Sequence, residues 1–124
     1  METKNEIDLK IVFCGNTKVG KTSIIKRFTE NQFNSNERRT VALDVKTNKI
    51  ESKKYLKRLN ISIWDTTGEE KYRAVCKKFI EAGDIIILVL NLFDKDSFLY
   101  LSEYKESFKD TIKPEAGKYY IRII

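Results

Sequence analysis

Histidine is absent from the 124 residues, an omission that removes the commonest general base near neutral pH and most zinc-binding patterns. Cysteine is scarce. Cys14 and Cys76 lie in apolar or helical patterns with no paired spacing, and read as thiols of a reducing compartment rather than a disulfide framework. The first ten residues are charged and carry no apolar h-region, so nothing there suggests secretion. The longest apolar run, "IIILVLNLF" at 85–93, is about half of what spans a bilayer and contains Asn91; it reads as a buried strand. There is no internal repeat and no low-complexity segment. Basic residues exceed acidic ones by 24 to 18, but the two signs are interspersed along the chain. That spread reads as a solvated surface, and no stripe of basic and aromatic residues points to nucleic acid.

What is present suffices for one domain with a true core and is too short for two. "LKIVFC" at 9–14 is a β-rich run ending at Gly15, after which Ile24, Ile25 and Phe28 recur at helical spacing. Two alternating stretches at 41–50 and 56–64, the second with Leu59, Ile61 and Ile63 on one face, predict an antiparallel hairpin joined by the polar residues 51–55. Tyr72, Val75, Cys76 and Phe79 form a helical stripe ended by Gly83, and "DIIILVL" at 84–90 predicts a parallel strand covered on both faces. Phe98, Leu101, Lys105, Phe108 and Ile112 trace a further helix, starting near Asp96 or Ser97 and stopping before Pro114. "KYYIRII" at 118–124 predicts one more strand. Strands alternating with helices imply an α/β fold, a mostly parallel sheet flanked on both faces, with ligands at the carboxyl ends of the strands.

Between the first strand and first helix, Gly15, Asn16, Thr17, Lys18, Val19, Gly20, Lys21 and Thr22 match G-x-x-x-x-G-K-[ST] at every fixed position. The glycines let successive backbone N–H groups curl toward phosphate oxygens, and the helix start adds partial positive charge. Lys21 is the candidate for the outer phosphates and Thr22 for Mg²⁺. A chance Gly-rich turn with a solvated lysine is the plainer alternative, disfavoured by the flanking strand and helix. Lys18, at a variable position, reads as solvent-facing unless it approaches the phosphates. Asp65, ending a second strand in "WDTTGEE", suits a metal shell, although an Asp there is also a common turn or helix cap.

Taken together, these motifs resemble the Ras-like small GTPases, and among them the Rab branch most closely. Thr40 follows Thr22 by 18 residues, as the switch I threonine does in that family; "TVALDV" is similar to T-I-G-V-D-F, and "WDTTGEEKYRAV" to W-D-T-A-G-Q-E-R-[FY]-R. "DKDSFLYL" resembles the Rab segment that opens the third helix. The resemblance implies a P-loop NTPase G-domain spanning residues 1–124, a switch that binds Mg²⁺ with GTP or GDP and hydrolyses GTP. It assigns the phosphate cradle to Gly15 through Thr22, extended by Ser23. It gives Mg²⁺ to Thr22, Thr40 and Asp65, the γ-phosphate to the Gly68 amide, and the guanine face to Phe33. Lys21, Thr40, Gly68 and Glu69 take the catalytic positions. The two switch segments imply effector, exchange and activating proteins as partners, in cytoplasmic vesicle traffic and without nucleic acid.

Two departures qualify that expectation. The water-orienting Gln of the family is Glu69, a residue that only accepts hydrogen bonds and adds negative charge beside a phosphate gaining it, so slow hydrolysis is expected. A solvated Glu69 without influence on the rate is the alternative. The family pattern also continues with N-K-x-D, further elements and a prenylated Cys motif, none of which occurs by residue 124. The expectation is therefore a G-domain with its C-terminal part missing, an apolar open edge at 119–124, weak nucleotide retention, and peripheral attachment to endomembranes only where a lipidated segment follows. A non-hydrolysing interaction module with the same face is the second reading. A P-loop NTPase using ATP is the third, disfavoured by the two switch-like segments.

Overall fold

A computed structural model of the chain describes residues 5–35, 43–68, 73–108 and 119–123. In chain order the elements are β1 (Asn5–Cys14), α1 (Lys21–Glu30), β2 (Leu43–Ser52), β3 (Lys57–Thr66), α2 (Arg73–Ala82), β4 (Ile85–Val89), α3 (Lys95–Phe108) and β5 (Tyr119–Ile123). They build one sheet in the order β2-β3-β1-β4-β5. β2 runs antiparallel to β3, and every other neighbouring pair is parallel.

Side chains alternate between the two faces of the sheet, and each face meets different helices. Val12 and Cys14 of β1 and Ile86 and Leu88 of β4 pack with Cys76 and Ile80 of α2 and Leu101 of α3. Their neighbours along the same strands, Phe13, Ile87 and Val89, turn to the other face and meet Ile25 of α1 together with Ile61 and Ile63 of β3. Helices thus cover both faces, as an α/β fold requires, and β4 is apolar throughout because both of its sides are buried. Trp64, on the face opposite Ile61 and Ile63, joins the α2 side, where its ring meets Phe79 edge-on at 4.9 Å and the Lys10 ammonium lies 4.5 Å from its centroid.

The observed boundaries differ from the sequence expectations in informative ways. β1 starts at Asn5 rather than at residue 9, because its polar half is held by cross-strand pairs that hydropathy does not register: Arg58 donates to Glu6 at 3.0 Å and Asn60 to Asp8 at 3.0 Å. Glu51 and Ser52 belong to β2 instead of the connection, with Glu51 opposite Arg58. The stripes of the helices shift too. Phe28 of α1 and Val75 of α2 are exposed, while Ile25, Cys76 and Ile80 are buried. In α3 Phe98 and Leu99 are exposed, and Ser97 with Leu101 makes the buried face. Tyr72, Ile112 and Pro114 lie outside the described residues. No helix among the described residues is long and apolar enough to cross a membrane.

Candidate functional site

The parallel strands β1, β3 and β4 end at one edge, and the candidate residues gather there. β1 gives way at Gly15, whose added Cβ would overlap the Val89 carbonyl at the end of β4; a side chain could be admitted only by moving strand backbone. Two residues of the loop, Lys18 at φ 63° and Gly20 at φ 100°, take left-handed backbone, and such turns direct consecutive N–H groups to one side. Gly20 also sits at the N-cap of α1 with no side-chain cap, and the first turn carries no acid. That helix end therefore presents positive partial charge with nothing of its own to neutralise it.

Lys21 opens α1 and is only 6 % exposed. Its ammonium folds back along the loop and donates to the carbonyls of Gly15 at 2.8 Å and Asn16 at 2.6 Å. Burial pushes its pKa down to about 8, an effect opposed in part by the Asp65 carboxylate and more weakly by Cys14 and Cys76. A cation held in so dry a place is stabilised by an anion, a charge that phosphate oxygens at the loop would supply. The Thr17 amide donates to the Asn16 side-chain oxygen at 2.8 Å, a neutral acceptor that a phosphate oxygen would outcompete.

Thr22, the next residue, donates its hydroxyl to the Asp65 carboxylate. Asp65 is 2 % exposed and stands one residue before the end of β3, beside Phe13 of β1. A hydroxyl and a carboxylate brought together at the edge of a phosphate loop are hard oxygen donors, the set Mg²⁺ takes when phosphates and waters complete its shell. Behind them the Thr66 hydroxyl donates to the Phe13 carbonyl at 2.6 Å, which fastens the end of β3 to β1. The W-D-T-A-G motif includes Thr66 without giving it a role; the pairing of two strands distant in sequence creates that role. Gly68 then crosses the loop so closely that a Cβ would overlap the backbone of Asn16 and Thr17 and lie 2.7 Å from the Gly15 carbonyl. That approach requires glycine.

Most residues named from the sequence thus converge: Gly15 through Thr22, with Asp65 and Gly68, occupy one end of the sheet. Ser23 lies in the first turn of α1. Phe33 stands apart, 64 % exposed beyond the end of α1. Thr40 and Glu69 lie outside the described residues.

A family model described as "Ras of Complex, Roc, domain of DAPkinase" matches residues 10–122, nearly the whole chain. The chain belongs to the Ras-like small GTPase superfamily. Among Ras-like relatives it is 33 % identical over 101 residues to "Ras-related protein Rab-13" of Rattus norvegicus, covering 82 % of this chain and 49 % of that one. It is 31 % identical over 108 residues to "GTP-binding protein yptV5" of Volvox carteri, covering 87 % and 52 %. It is also 36 % identical over 105 residues to "EF-hand calcium-binding domain-containing protein 4B" of Homo sapiens, covering 83 % of this chain and 14 % of that protein. This Ras-like chain therefore spans about half the length of its Rab and yptV5 relatives and a small part of the EF-hand protein.

Proposed function

We propose that the protein is a Rab-like molecular switch that binds GTP and GDP with Mg²⁺, hydrolyses GTP slowly, and acts in vesicle traffic through effector, exchange and activating proteins. The observation that carries this reading is the buried Lys21 inside a glycine-shaped loop, with Thr22 and Asp65 joined at its rim. The donor set fits Mg²⁺, held by Thr22 and Asp65 with Thr40 as a third ligand; the bound ion would neutralise phosphate charge. Lys21 holds the outer phosphates, the loop amides from Gly15 to Thr22 and the Ser23 turn cradle the rest, and Phe33 covers the base. The Gly68 amide serves the terminal phosphate. Its contact with the loop makes the stretch after β3 responsive to whether that phosphate is present.

The slow step rests on Glu69, where an amide would both orient water and tolerate charge. Two measurements test the reading. Titration with fluorescent GDP, GTP and ATP analogues should show guanine nucleotides bound in preference to ATP. Lys21→Ala should abolish binding. Equal affinity for ATP, or none for any nucleotide, would favour the interaction-module reading. In single-turnover assays Glu69→Gln should then raise the hydrolysis rate about tenfold or more, worth roughly 1.4 kcal/mol of barrier; an unchanged rate would show that Glu69 is a bystander.

A further inference from the structure

Although the two signs are interspersed over most of the chain, one short segment around the β2–β3 turn is strongly basic. Residues 49–58 hold five basic side chains and one acid, a net +4 of the chain's formal +6. Lys49, Lys53, Lys54 and Lys57 are all exposed. The single acid, Glu51, is engaged by Arg58 at 2.8 Å across the last rungs of the ladder, and the same guanidinium holds Glu6 of β1 at 3.0 Å. The lysines beyond that bridge are left with no acid facing them in the turn itself.

At the apex of this cationic end sit two apolar side chains that the fold does not use. Tyr55 is 64 % exposed and Leu56 is 72 % exposed. Leu56 also adopts φ 51°, a left-handed backbone that is unfavourable for a bulky residue and that holds the apex in a tight turn. The Lys54 ammonium lies 5.1 Å from the centre of the Tyr55 ring, so cation and apolar surface are presented side by side. The register runs from Leu43 opposite Thr66 to Ser52 opposite Lys57. Ten residues of strand at about 3.3 Å each separate the apex from the phosphate loop by roughly 30 Å. A surface could take hold here without touching the nucleotide site.

We propose that the β2–β3 hairpin tip, residues 53–57, is a docking element for the anionic surface of a lipid bilayer, with Tyr55 and Leu56 entering the headgroup region and Lys53, Lys54 and Lys57 pairing with lipid phosphates and carboxylates. Charge complementarity selects the anionic leaflet, and the apolar pair selects a bilayer over a polyanion in water. Nucleic acid would be served by a longer basic stripe with several stacking rings, whereas this tip has one ring and a leucine. Contact through so few residues is reversible. It would orient the domain rather than anchor it.

The test is flotation of the full chain with vesicles of phosphatidylcholine alone and of the same lipid with one part in three phosphatidylserine. Binding should occur to the anionic vesicles only and should disappear in molar salt. Each lysine at such a surface strengthens binding about fivefold, so Lys53→Glu with Lys54→Glu should weaken it about 25-fold or more. Leu56→Ser keeps the charge and should weaken it about threefold or more by removing the inserted side chain. All three positions are exposed, and an unchanged circular dichroism spectrum verifies that the variants fold. The proposal is overturned if anionic vesicles are not bound, if neutral vesicles bind equally, or if the double charge reversal has no effect. It is also overturned if a short oligonucleotide binds as tightly as the vesicles with no loss on Leu56→Ser. None of these readouts depends on nucleotide binding.

Discussion

Lys21 shows how one side chain can be unfavourable for the fold and necessary for the proposed ligand. Its ammonium is buried against loop carbonyls, with a pKa lowered by desolvation from 10.5 to about 8. Between those values the unfolded chain keeps the proton that the folded chain has lost, so stability contributed at this position rises with pH; below about 8 the buried charge is a constant penalty. Compared with Lys21→Met, which does not titrate, the unmodified protein should gain about 1.4 kcal/mol per pH unit across that window. Guanidinium unfolding of both proteins at a series of pH values measures the difference. A flat difference would mean that the lysine is hydrated and its pKa ordinary. Gly68 is constrained in another way: its lack of a side chain lets the chain after β3 lie against the phosphate loop. The glycine and the lysine are both visible as letters of a motif, but the dryness of one and the tightness of the other are not.

Among the elements, α3 repays attention because its start is built from side chains rather than from helix propensity. Asp94 accepts from the Asp96 amide at 3.0 Å. Ser97, fully buried, accepts from the Asn91 amide at 2.9 Å and shares its hydroxyl proton between the carbonyls of Asp94 and Asn91. This knot ties the loop after β4 to the first turn of the helix. Ser97→Ala would remove the partner of the part-buried Asn91 amide and should destabilise the protein by about 1–3 kcal/mol, read from urea melts, with faster amide exchange at Asn91. Periodicity expected an apolar stripe through Phe98. A small polar residue instead takes the inward position, because the knot sets the rotation of the helix. The hairpin shows the same lesson. Alternating hydropathy locates its apolar face at Leu59, Ile61 and Ile63, while the extension of β1 and β2 toward the tip depends on Arg58 and Asn60 finding acids on neighbouring strands.

For the whole molecule, the sheet order decides which parts carry stability. β4 and the carboxyl end of β1 lie between other strands and are buried on both faces, with α1 on one side and α2 and α3 on the other. Ile86, fully buried where β4 meets α2 and α3, should cost about 2–5 kcal/mol on truncation to Ala. That is a large part of the roughly 5–15 kcal/mol that holds a typical domain together. The ion pair of Lys46 with Glu30 at 2.6 Å joins β2 to α1 at the surface, and Lys46→Ala should cost less than about 1 kcal/mol. Thermal or urea unfolding of both variants checks the ranking; a larger loss from Lys46→Ala would mean that the edge hairpin, rather than the central strands, limits stability.

By itself, the sequence determined the local matters. Strand, glycine-rich loop and helix follow one another because backbone freedom, hydropathy period and the G-x-x-x-x-G-K-[ST] spacing are properties of adjacent residues, and the α/β alternation follows from the same patterns. Asp65 and Gly68 were also legible, as parts of a short motif. Only the tertiary structure decided what depends on chain segments meeting across tens of residues: Thr22 joined to Asp65, Thr66 fastened to Phe13, and Gly68 closed over Thr17. It also decided which helix faces are inward, and that Tyr55 and Leu56 stand exposed at a hairpin apex. Burial, proton affinity and charge density are fields set by all the atoms nearby, and a one-dimensional string lists those atoms without placing them.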